Sequence, residues 1–78
     1  MKLYLISQTR NNDYDTYDSA VVAAESEKEA AAIHPSGKKL GGVIVSTWVD
    51  RDYVAVKYIG EADFQIKRGV ILASYNAG

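Results

Sequence analysis

The chain has 78 residues, of which 47% are apolar and 24% are charged, and its formal net charge is −1. This length predicts one small domain, residues 1–78, and the balanced composition excludes an intrinsically disordered chain. The chain contains no cysteine, which excludes disulfides, thiolate zinc sites and cysteine nucleophiles, and fits a reducing cytoplasm. The small negative charge argues against a dedicated nucleic-acid-binding protein.

The apolar runs of the chain are all short. The N-terminus lacks the long apolar region of a signal peptide, and no run reaches the length that spans a membrane. The sequence therefore predicts a cytoplasmic protein that does not associate with membranes.

The N-terminal third predicts two strands separated by a polar connection. Residues Lys2–Thr9 are apolar on both alternating faces, which predicts a central strand covered on both sides. Residues Ser19–Glu25 have two valines at their centre, which favours a second strand. Residues 11–19, NNDYDTYDS, lie between the two runs and are rich in the Asn and Asp residues that form turns.

A helix start follows the second strand. Residues 26–29, SEKE, match a capping box, in which Ser26 accepts from the amide of Glu29 and the Glu29 carboxylate accepts from the amide of Ser26. Three alanines continue the helix, and Ala30 and Ile33 are spaced to face a sheet. Pro35 disfavours helical geometry at the preceding residue, which predicts a helix of about two turns.

The C-terminal half predicts two further strands. Residues Tyr53–Gly60 alternate in polarity, which predicts a strand. Residues 61–69 suit a hairpin-like connection. Val70–Tyr75 is apolar on both alternating faces, so we expect a strand that lies beside the first one. Residues 43–49 fit either a fifth strand or an ordered connection that carries Trp48 into the core.

These elements predict an α+β fold. A single sheet of four strands, or five with residues 43–49, has the chain order β-β-α-β-β, and one short helix packs on one face. The other face would keep several aromatic side chains, which predicts a homodimer.

The acidic segment fails as a calcium-binding loop. Counted from Asp13, the fifth position of an EF-hand loop is Tyr17, and Asp18 replaces the required glycine at the sixth. The first interpretation is a solvated connection. The second is a partner-binding surface made by tyrosines between acids, with five candidate residues: Asp13, Tyr14, Asp15, Tyr17 and Asp18.

The remaining motif searches predict no catalysis. His34 is the only histidine and precedes a proline at a helix end, where a contact with the carbonyls of the last turn is expected. The chain has no nucleophile elbow and no glycine-rich phosphate-binding fingerprint. We therefore expect no enzyme, and no catalytic, cofactor-binding or metal-binding residues.

Nucleic-acid binding is the alternative function. Aromatic residues of the sheet, together with Lys57, Lys67 and Arg68, resemble part of the aromatic and basic pattern of RNA-binding sheets. The complete sequence motif of such sheets is absent. Binding to another protein remains the first prediction.

Five segments resemble a group of short bacteriophage and prophage proteins of unknown function. They are KLYLISQ, NNDYDTYDSAVVAAESEKEA, IHPSG, YIGEA and RGVILASYNAG, which together cover both ends of the chain. The resemblance supplies no activity and no site residues. It implies an accessory protein made in a bacterial host cell, with a host or phage protein as its partner.

Overall fold

A computed structural model of the chain describes residues 1–10, 16–36, 48–49 and 51–76. It contains four strands, β1 (Lys2–Ser7), β2 (Thr16–Ala24), β3 (Ala55–Glu61) and β4 (Gly69–Asn76), and one helix, α1 (Glu27–Ala31). A single 3₁₀ turn, Arg51–Tyr53, precedes β3. The predicted α+β class and the chain order β-β-α-β-β are confirmed. Most of the segment 43–49, the predicted fifth strand or ordered connection, lies outside the described residues.

The four strands form one antiparallel sheet in the order β3-β1-β2-β4. The prediction that β1 is central is confirmed. The prediction that the last strand lies beside β1 is wrong, because β4 pairs with β2 at the edge of the sheet. Apolar residues on both faces of a strand do not determine its neighbours, and in β4 they do not mark covered faces either, because Ile71 is 48% exposed and Leu72 is 69% exposed.

The second strand is longer than predicted. It begins at Thr16 rather than Ser19, so three further residues of the polar segment, 16–18, belong to the sheet. The pairing with β4 shifts register between Tyr17 and Ser19, which marks a β-bulge at Asp18. A bulge lets one polar residue interrupt the alternation, and this explains why the sequence of Thr16–Asp18 is typical of a loop.

The helix packs on the face of the sheet that carries Tyr4 and Ile6. Ala30 is fully buried there, in a core that also contains Val22 and Trp48. Trp48 is 1% exposed, which confirms its predicted role as a core residue. The buried core therefore lies between this face of the sheet and α1.

The start of the helix follows the predicted cap with one difference. The hydroxyl of Ser26 accepts from the amide of Glu29 at 3.2 Å, as expected. The carboxylate of Glu29 accepts from the amide of Glu25 at 3.1 Å, and not from that of Ser26. The helix is also shorter than predicted and has its C-cap at Ala32. Such a cap contributes about 1 kcal/mol, which matters for a helix of five residues.

The prediction of aromatics on the face opposite the helix is wrong. Residues directly opposite each other in a sheet share a face, and Tyr58 lies opposite Tyr4, on the helix side. Tyr17 packs against the core and lies opposite Tyr75. The other face carries aliphatic residues of three strands, Leu3, Leu5, Val21 and Leu72, and Lys57 lies opposite Leu5 on the same face. The predicted homodimer stays a prediction.

The connection between β3 and β4 is not a hairpin. The two strands lie on opposite edges of the sheet, so residues 62–68 must cross its end. We call this segment the crossover. The start of β1, the end of β2, the end of β3 and the start of β4 all lie at this end, because neighbouring strands are antiparallel.

Candidate functional site

The predicted contact residues separate into two groups. Asp13, Tyr14 and Asp15 lie outside the described residues. Tyr17 and Asp18 belong to β2, where Tyr17 is half-buried and Asp18 is exposed. Their role as a partner-binding surface stays a prediction.

Tyr17 is held by the fold on two sides. Its ring makes edge-on contacts with Tyr75, at 4.7 Å between centroids, and with the buried His34, at 5.9 Å. Its backbone carbonyl accepts from the amide side chain of Gln8 at 2.9 Å. Packing of this kind contributes to stability, so Tyr17 already has a structural role in the folded chain.

The most exposed aromatic side chain described lies elsewhere, in the crossover. Phe64 is 90% exposed. It occupies the second position of a turn in which the Ile66 amide donates to the Asp63 carbonyl at 2.9 Å. The Asp63 carboxylate also accepts from the Gln65 amide at 3.0 Å, as in an Asx turn. Asp63 thus accepts two hydrogen bonds, which fix the backbone that carries Phe64.

The crossover is also attached at both ends. The Ala62 amide donates to the Met1 carbonyl at 2.9 Å, which joins the crossover to the start of β1. Near the other end, Arg68 Nε lies 2.7 Å from Glu29 Oε1, in an ion pair with α1. The ion pair is partly exposed and contributes less than about 1 kcal/mol. Its main consequence is geometric, because it ties the crossover to the helix.

An open groove lies at the same end of the sheet. It encloses about 420 Å³ and is lined by residues of β1, β3 and the start of α1: Lys2, Tyr4, Glu25, Ser26, Glu27 and Tyr58. The rings of Tyr4 and Tyr58 meet edge-on at 5.9 Å. A smaller recess beside it adds Met1 and Glu61. We call the larger cavity the tyrosine groove.

The tyrosine groove has a negative rim. Glu25 and Glu27 are exposed on one side, and Glu61 accepts from the Tyr58 hydroxyl at 2.5 Å on the other. Lys2 supplies one positive charge against these three carboxylates. Tyr4 is buried and Tyr58 is 50% exposed, so the ring of Tyr58 beside these carboxylates is the one that a cationic side chain such as lysine or arginine could contact.

The Tyr58–Glu61 contact predicts a pH dependence. The hydrogen bond to the carboxylate, with smaller contributions from desolvation and from the negative charge of Glu61, raises the pKa of Tyr58 above 10.0. The stabilisation by this contact is fully present below the unfolded pKa of tyrosine and is lost as the pH rises through the folded value. We expect the Glu61→Ala variant to titrate Tyr58 at lower pH than the wild type.

Absorbance at the tyrosinate band measures this titration. The chain has six tyrosines, so the curve of a Tyr58→Phe variant is subtracted to isolate the Tyr58 signal. Equal midpoints for Tyr58 in the wild type and in Glu61→Ala would contradict the prediction.

The described residues offer few groups for other chemistry. Across residues 1–10, 16–36, 48–49 and 51–76, no group of three or more His, Cys, Asp or Glu side chains is placed to hold a metal ion. His34 is buried, and its Nδ1 accepts from the Ser36 amide at 3.0 Å. Within the same ranges, no helix is long and apolar enough to cross a membrane.

Sequence reasoning missed Phe64. The segment was predicted as a connection, and nothing in its composition shows that the phenylalanine stays outside the core. A usable signal was Asp63, because aspartate side chains often accept a hydrogen bond from the backbone amide two residues on, in an Asx turn. The groove could not be found, since its lining residues come from three separate elements.

Compared with protein-family models, with curated proteins and with solved structures, the chain matches none of them.

Proposed function

We propose that the chain is a small non-catalytic protein that acts by binding another protein. We further propose that it is a phage or prophage accessory protein of the bacterial cytoplasm, as its resemblance implies. One observation carries the binding proposal. Phe64, 90% exposed, is held on a turn that is fixed by hydrogen bonds and attached to the sheet and the helix.

Burial of Phe64 in a partner supplies binding free energy at low entropic cost. Complete burial of a phenylalanine side chain contributes about 1.5–3 kcal/mol. A turn that is already fixed in the free protein loses little backbone entropy on binding. Single exposed apolar residues are common on protein surfaces, so the fixed turn is needed together with the exposure of Phe64 to indicate a binding role. Phe64 therefore has the properties of a binding anchor.

The neighbouring charges define the kind of partner. Glu25, Glu27 and Glu61 lie around the tyrosine groove at the same end of the sheet. A protein surface that places an apolar pocket over Phe64 and a lysine or arginine over the groove is complementary in shape and charge. These carboxylates also repel phosphates, and Arg68 is paired with Glu29. The charges thus support a protein partner over a nucleic acid.

Capture from bacterial host lysate tests the proposal, with Phe64→Ser as the central variant. The matched control is Tyr53→Ser, which removes an aromatic side chain of 49% exposure at the opposite end of β3. A third variant changes Asp13, Asp15 and Asp18 to Asn and tests the predicted acidic surface. Thermal unfolding confirms that each variant is folded.

We expect one partner to be captured by the wild type and by the Tyr53 variant, and lost with Phe64→Ser. Its loss with the aspartate variant alone would overturn the role of Phe64 and place binding on the acidic segment. Equal capture by all four proteins would overturn both sites. A retained species that disappears on nuclease treatment would favour the nucleic-acid alternative.

A further inference from the structure

We draw no further inference here: the strongest candidate, the face of the sheet opposite α1 that carries Leu3, Leu5, Val21 and Leu72, is aliphatic and partly exposed, but nothing in the residues that the structure describes shows what covers it.

Discussion

Replacing Trp48 with alanine is expected to lower the free energy of unfolding by about 3–5 kcal/mol. Trp48 is the largest of the fully buried side chains and packs with Tyr4, Ile6 and Val22 between the sheet and the helix. Alanine leaves a cavity that so small a core cannot refill. A domain of this size has roughly 4–12 kcal/mol of stability in total, so the variant loses a large share of it.

Urea unfolding followed by circular dichroism measures this loss. The matched control is Phe64→Ala, which removes another large aromatic side chain from a position that is 90% exposed. We expect the control to change stability by less than about 0.5 kcal/mol. A loss below about 1 kcal/mol for Trp48→Ala would place the tryptophan outside the core and contradict the packing described above.

Replacing Gly69 with alanine is expected to lower the free energy of unfolding by about 1–3 kcal/mol, because of backbone strain and not because of a cavity. Gly69 begins β4 with a φ of +140°, a backbone conformation that L residues rarely adopt. A Cβ at this position would meet nothing within 4 Å, so the cost comes from the backbone alone and not from a clash. Gly60, at the bulge of β3, has a φ of +153° and is expected to behave in the same way.

Chemical synthesis of this short chain allows a direct control for the backbone argument. Replacing Gly69 with D-alanine adds the same methyl group as L-alanine but prefers positive φ. We expect the protein with the D residue to be at least as stable as the wild type, and the protein with the L residue to unfold at lower urea concentration. Equal losses for both proteins would show that the methyl group, and not the sign of φ, destabilises the strand.

The sequence predicts local structure in this chain well and long-range order poorly. The hydrogen bond from the Glu29 amide to Ser26 is confirmed, and the strand predicted over Lys2–Thr9 is found over Lys2–Ser7, because both follow from residue spacing within a few positions. The position of β4 at the edge depends on pairing between residues far apart in the chain, which no local pattern specifies. The start of β2 was missed because a bulge at Asp18 breaks the alternation that predicts a strand.

The candidate site was less predictable than the fold. Exposed tyrosines between acids were expected in residues 11–19, and the described part of that segment has Tyr17 packed against the core. A similar combination of tyrosines and acids occurs at the tyrosine groove, but its members come from β1, β3 and the start of α1. Only the fold brings Tyr4 and Tyr58 next to Glu25. Exposure of Phe64 likewise depends on tertiary packing, which composition does not report.

The strand order also constrains how the molecule folds. Among the four described strands, only β1 and β2 are neighbours both in sequence and in the sheet, whereas Lys2 pairs with Glu61 and Thr16 pairs with Asn76 across most of the chain. Each outer strand must therefore close a long loop before its contacts stabilise anything, which slows folding. During that interval, the hairpin of β1 and β2 has two open edges. Incompletely folded chains that collide can pair through these open edges and aggregate. We therefore expect the refolding yield to fall as the chain concentration rises.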